Sequence, residues 1–447
     1  MKKIIFVFAA TLAGLSFQSC SLHEETDLFG KSAAERVEEA ISSDKQLLES
    51  ASNGWKLTYY TGQEYEGGGY TYLCKFHDGS ATVSGDMAGG KADSTCTSSY
   101  NIINDQSPVL TFDTHNPLMH KFGTPNSSSI SGDEGDYEFV IMKTTNDSIY
   151  LKGKKWGNKM VMTRMPEGLS WEEHLDSINK VASGIYYNNT LKYGDELIAH
   201  VDIDDYTRRA TFKFEKAYQF AGESFSEPYV VTSKGIHLLH PMVLKEEEIQ
   251  DFVFDEDTHE LKPANSASGN FLVEGYLPEN YKFIDFFEGT WNIICHAVDA
   301  ENKETQTEQQ YRVEFTYYSP IYLKGKININ GLPFDLYFQY HRDKGGISLV
   351  QQYADDPSKT YAYANVAPVC FAKGGRFNWS GDFIGNWIES EKMVKFKSSK
   401  DPKEEEYPID SYVFLATNSA GSPVYDSNGA LISLASLTYI QGMTKVK

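Results

Sequence analysis

"WKLTYYTGQEYEGGGYTYLCKFHDG", residues 55–79, decides the fold class. Trp55–Tyr60 and Tyr70–Phe76 are dense in aromatic and branched side chains, which fit the pleated surface of a sheet. A glycine cluster at 67–69 separates the two runs, and Asp78-Gly79 supplies a tight hairpin signal after the second. Two antiparallel strands are therefore predicted, and the pattern continues outward from them. Further strands are expected at 81–84, 99–103, 108–112, 137–143, 148–152 and 159–164. Eight or so antiparallel strands with short turns make a curled sheet or barrel.

Upstream of this stretch lies a helix signal. Ser32-Ala33-Ala34-Glu35 forms a capping box, in which serine and glutamate side chains satisfy free amides at a helix start. Ala34, Val37, Ile41, Leu48 and Ala51 follow at spacings that keep one apolar stripe, and Asn53-Gly54 supplies the stop. The fold class expected is mainly β (α+β), with an N-terminal amphipathic helix packed on antiparallel sheet or barrel-like modules.

The first 30 residues carry an address. Lys2 and Lys3 precede an apolar run, Ile4 to Leu15, too short to span a bilayer, which is the architecture of a secretory signal. Ser19 before Cys20 suits a lipoprotein peptidase, so residues 1–19 are expected to be a signal peptide, Cys20 the lipidated N-terminus and 20–31 a tether. Acyl chains on Cys20 would hold the protein on outer-membrane lipid without a spanning helix. The acidic "SLHEET" that follows resembles a surface-export tag, which places the protein on the cell exterior.

Beyond the first module, residues 32–166, a second serine-led helix start at Ser170-Trp171-Glu172-Glu173 marks a seam. A middle β module is expected over 167–285, with strands at 185–191, 196–203, 208–215, 227–232 and 235–239, though its apolar alternation is weaker. A C-terminal β module is expected over 286–447, opening at "FEGTW". A formal charge of −21 argues against nucleic acid as a partner, because the field repels phosphates. Four cysteines besides Cys20 allow the pairs Cys74–Cys96 and Cys295–Cys370, or four buried free thiols.

Several constellations bear on function. His200, Asp202 and Asp204 alternate in "LIAHVDIDDY", so in a strand they share one face and could hold zinc. Asp133, Glu134 and Asp136 in "SGDEGDYE" could hold calcium, although the EF-hand pattern is absent. Both acidic sets also fit ordinary solvated surface, so no cofactor is expected. HExxH, G-x-S-x-G and the Walker loop are missing from the sequence, and no pair of carboxylates is singled out for catalysis. The alternative to a binding protein is a hydrolase with an unrecognised carboxylate or metal site. "GGRFNWSGDFIGNW" places Phe377, Trp379, Phe383 and Trp387 in a stretch with more turn formers than strand formers, as rings on a loop that could stack on sugars or grip a peptide. Plugging the end of a sheet is their other reading. Tyr65 and Tyr70, in a tyrosine group beside the 67–69 glycines, form a second candidate.

The segments "LFGKSAAERVEEA", "NGWKLTYYTG", "SSYNIINDQSPVLTFDTHNPLMHKFGTP" and "GDYEFVIMKTTNDSIYLKGKKWGNKMVMTRM" resemble a group of Bacteroidetes surface lipoproteins that carry a domain of unknown function. The resemblance spans residues 28–164 and continues more loosely beyond. It implies a surface or periplasmic lipoprotein serving nutrient capture, and it supplies no ligand, partner or catalytic residue. The surface address, the aromatic loop and the missing catalytic motifs are what lead to the expectation of a non-enzymatic binding or accessory protein that captures glycan or peptide for an outer-membrane uptake complex.

Overall fold

The computed structural model describes residues 31–86, 94–125, 129–218, 222–266, 269–379, 381–398 and 407–446, and the leader and Cys20 lie outside them. Helix α1, Ala33–Glu49, opens with Ser32 accepting from the Glu35 amide while the Glu35 carboxylate accepts from the Ser32 amide. It is followed by β1 (Trp55–Tyr60), β2 (Gly69–His77), β3 (Ser80–Gly85), β4 (Cys96–Ser99), β5 (Asn101–Asn104), β6 (Pro108–Thr111), β7 (Glu138–Thr144), β8 (Ser148–Gly153) and β9 (Lys159–Arg164). Among the described residues these nine strands form one antiparallel sheet in the order β4-β3-β2-β1-β9-β8-β7-β6-β5. The hairpin register sets Trp55 opposite Cys74 and Tyr59 opposite Tyr70. One face then gathers Trp55, Leu57, Tyr59, Tyr70, Tyr72, Cys74 and Phe76 into a core closed by Leu48 and Ala51, at the end of α1.

The outer face of β2 is also covered. Leu73 joins a different core, made with Leu175, Ile178 and the second module, so β2 is buried on both faces over its first six residues. That is why "GYTYLC" carries no charged residue and lacks the regular polar alternation of a strand with one wet face. Helix α2, Trp171–Gly184, carries this contact. Ser170 Oγ accepts from the Glu173 amide, and the Trp171 indole donates to the Asn53 carbonyl at 2.9 Å, tying α2 to the turn that leads into β1.

The second module is a closed antiparallel barrel of β10 (Asn188–Tyr193), β11 (Glu196–Asp204), β12 (Arg209–Tyr218), β13 (Gly222–Thr232), β14 (Gly235–Leu244), β15 (Glu247–Asp255), β16 (Glu260–Pro263) and β17 (Phe271–Gly275). The last three strands were not expected from the sequence. Glu247–Asp255 alternates only in part, and Glu260–Pro263 is four residues long, so neither contrasts with the turns around it.

The third module is a second closed barrel, opened by strand Gly289–Val298 and closed by Ile440–Lys445. A smaller sheet built on Tyr363–Cys370 and Ser411–Thr417 packs its Val366 and Phe414 into the same core as Trp291 and Phe338. Here the sequence reading needs correction. Of the two readings of the 374–387 stretch, the exposed loop does not hold for Phe383 and Trp387: the barrel strand Phe383–Ile388 carries both rings into the core of the C-terminal module, the side on which the sheet-packing reading stood. Gly385 is small because Val394 and Phe396 atoms stand 2.7 and 2.8 Å from where a Cβ would sit, so this glycine serves packing within a strand rather than a turn.

Among the described residues no disulfide forms: Cys74, Cys96, Cys295 and Cys370 are free. Cys74 pairs with Val83 and Val83 with Cys96, which puts the two thiols two strands apart, about 9–10 Å by strand spacing and beyond disulfide reach. Burial pushes the Cys295 thiol up to about 12, so it is inert at neutral pH.

The first two modules meet at the 67–69 glycines. Gly68 has φ +83°, and a Cβ there would lie 2.3 Å from the Thr207 carbonyl oxygen and 2.5 Å from Arg208 Cβ. Gly68→Ala should cost about 1–3 kcal/mol by strain and displacement of the 204–208 turn, measured by chemical denaturation; no loss would mean that the two modules do not press together there.

Candidate binding cleft at the module seam

The site is built where α2 holds the second barrel against the outer face of the first sheet. Along β1 the inward residues Trp55, Leu57 and Tyr59 leave Lys56, Thr58 and Tyr60 pointing outward. Thr71 of β2, Tyr150 of β8 and Lys159 and Val161 of β9 extend this floor. Val230 to Ser233, His237, Leu239 and Asp251 from the barrel form the opposite wall, and His174 and Ile178 of α2 close one side. The cleft is open on one side and its volume is about 510 Å³, the size of a small-ligand site, and it lies at a domain interface where such sites collect.

Its electrostatics are unlike those of the acidic chain around it. Lys56 is half-buried, and desolvation holds its ammonium below the ordinary lysine range. His174 Nε2 is shielded from solvent without a hydrogen-bond partner among the described residues, and burial, reinforced by the charge of Lys56, lowers its basicity. Asp251 is the lone carboxylate of the lining, and it is engaged by His237 Nδ1 at 2.7 Å.

A second pocket of about 350 Å³ opens where all three modules meet. It is lined by Tyr70, Phe122 and Tyr206 rings, by Asp133 and Lys121, and by Ser319 and Pro320 of the third module. The turn between β11 and β12 organises this junction. Asp204 accepts from the Tyr206 and Thr207 amides and pairs with Arg342 of the third module, which also reaches Asp205. Arg208 turns the other way, into the first module, against Asp86.

The residues singled out from sequence are dispersed. Tyr70 is buried in the first core and forms a wall of the junction pocket, with the Arg208 guanidinium 5.6 Å from its ring. Tyr65 packs edge-on against Tyr60, and its hydroxyl accepts from the Lys159 amide at 3.0 Å. Trp379 is 52% exposed and stacks on Phe377 with ring centroids 5.2 Å apart, away from the cleft residues, on the small sheet of the third module. His200, Asp202 and Asp204 do share one face of β11, but each has its own partner: His200 faces Glu215 at 3.3 Å, Asp202 pairs with Lys213, and Asp204 with Arg342. Asp136 accepts from the Lys155 amide at 2.8 Å and Glu134 from that of Gln63 at 2.8 Å, so both carboxylates serve the backbone of their own module. Among the described residues no three His, Cys, Asp or Glu side chains gather as a metal site. Sequence reasoning missed Lys56, His174 and Lys159. A lysine at an outward position of a strand is the commonest pattern there is, and only the covering barrel makes it unusual.

Fold and cleft together define a modular β protein with a ligand-sized cavity between its first two modules. The chain belongs to the family described as domain of unknown function DUF4302, whose model matches residues 25–256, just over half of the chain. That match ends one residue after β15, so it takes in the first module, α2 and the barrel strands that wall the cleft, and leaves out β16, β17 and the third module. No functionally curated protein matches the chain.

Proposed function

We propose that this protein is an outer-membrane lipoprotein of Bacteroidetes type, anchored through acylated Cys20 and facing the cell exterior, that acts without catalysis to capture a glycan or peptide for an uptake complex. The observation that carries the binding role is the 510 Å³ cleft between two modules that α2 and the 67–69 glycines hold in contact. The address rests on the leader and on the acidic residues after Cys20. Among the described residues no helix is long and apolar enough to cross a membrane, and a lipid anchor requires none.

Two experiments test the two halves. In cells fed a labelled fatty acid, the natural chain should take up label and sediment with membranes, whereas Cys20→Ser should lose the label and the anchoring. Equal labelling of both forms would refute the anchor. Screening the purified chain on glycan and peptide arrays should return a saturable ligand that protects β1, β9 and β13 amides from hydrogen exchange. Binding that protects only other regions would remove the cleft from the proposal.

A further inference from the structure

Building on that binding role, we infer that the cleft selects an acidic oligosaccharide, one whose carboxylates are spaced to reach Lys56 and Lys159 at the two ends of its floor. Among the described residues about half of the lysines have a carboxylate partner, as Lys154, Lys213 and Lys216 do, so an unpaired lysine is informative only where a cavity also takes it out of water. Lys56 and Lys159 have, among the described residues, no ion pair and no side-chain hydrogen bond, although both line a cavity that removes water from one of them. The single carboxylate of the lining is already held by His237. A half-buried ammonium without a counter-charge has given up part of its hydration for nothing, and a bound anion would restore that loss. Burial holding the Lys56 ammonium below its usual range fits this account.

The register sets the length of the ligand. Lys56 pairs with Thr163, and Lys159 lies four residues further along β9, about 13 Å by strand rise. Two or three sugar units cover such a span. The chemistry between the lysines also favours sugar over peptide. Both edges of β1 are taken, by β2 and β9, so no strand edge is free in the floor to pair with an extended chain. What the floor offers instead is the hydroxyls of Thr58 and Thr71 and the Tyr150 ring, 45% exposed.

The test titrates the full-length chain in detergent with three probes: trigalacturonate, its full methyl ester and triglutamate. Trigalacturonate should bind at least about tenfold tighter than the neutral ester, with affinity falling as salt rises. The exposed Lys159→Met should weaken it several-fold with unchanged thermal unfolding, and Lys56→Met/Lys159→Met about tenfold or more with thermal unfolding unchanged or raised, since a desolvated charge is removed. Equal binding of acid and ester would overturn the anion selectivity while leaving a binding cleft in place. Preference for triglutamate would overturn the sugar assignment. Unaltered affinity in both lysine variants would move the site elsewhere. If none of the three binds, this inference falls, and the array screen decides the binding role separately.

Discussion

Arg208→Met is expected to destabilise the folded chain by about 3–5 kcal/mol, the usual result of stripping one partner from a buried ion pair. Asp86 and Arg208 are 3.7 Å apart, with side chains 0% and 4% exposed. They come from different modules, β3's end and the β11–β12 turn, so the pair is both a contact and a latch. The carboxylate has one strong donor, the Thr71 amide at 2.7 Å, while Asp86 Oδ2 and two guanidinium nitrogens lack hydrogen-bond partners among the described residues. The arrangement is therefore costly even when intact. Desolvation raises the Asp86 carboxyl above its ordinary range despite the pull of Arg208 and of the Thr71 amide.

The sign of the pH effect follows. A carboxyl whose folded pKa exceeds its unfolded value contributes stability that is fully present below the unfolded value and is lost as pH rises through the folded one. Without Arg208 the folded value rises further, so the Arg208→Met deficit should be smaller near pH 5 than near pH 8. Asp86→Asn/Arg208→Met should recover more than half of the loss, because no charge is then left buried. Chemical denaturation of the three forms at both pH values measures this. A single-variant deficit that does not change with pH would show that Asp86 is not the group left exposed to the penalty.

The parts of the fold that rest on local chemistry are those visible in the sequence. Ser32 and Glu35 form both bonds of the capping box, and the aromatic runs at 55–60 and 70–76 pair as a hairpin in one sheet. What escaped was whatever depends on neighbours distant in the chain. Gly385 looks like a turn former until the Phe396 ring is seen above it, and β2 hides its alternation because another module covers its back. The same blindness applies to the cleft. Lys56 and Lys159 are ordinary outward lysines within the first module, and they become a site only when β13 to β15 and α2 close over them. The aromatic stretch at 377–387 was legible in composition but not in disposition: Phe383 and Trp387 went inward to the barrel, and only the Phe377–Trp379 stack stayed at the surface.

Trp55→Ala should cost about 3–5 kcal/mol from the cavity alone, the range for truncating a large buried aromatic side chain. Trp55 is fully buried between α1 and the sheet, in the core that contains Leu48, Ala51 and Cys74. Its indole Nε1 donates to the Leu48 carbonyl at 2.9 Å. Leu48 sits in the last turn of α1, where carbonyls have no partner within the helix, so the tryptophan satisfies an acceptor that would otherwise be buried and unpaired. The Arg164 guanidinium stacks over the ring at 4.7 Å and covers its solvent side. Trp55→Phe separates the two contributions: it keeps most of the volume and should cost only about 1–3 kcal/mol, from the stranded carbonyl and the smaller ring. Because the chain has three modules, the loss is best read by hydrogen exchange of the β1 and β2 amides, which should quicken with those of α1 before the third module is affected. A Trp55→Ala loss spread evenly over all three modules would mean that they unfold as one unit. A local loss below about 1 kcal/mol would show that the α1 contact does not depend on this ring.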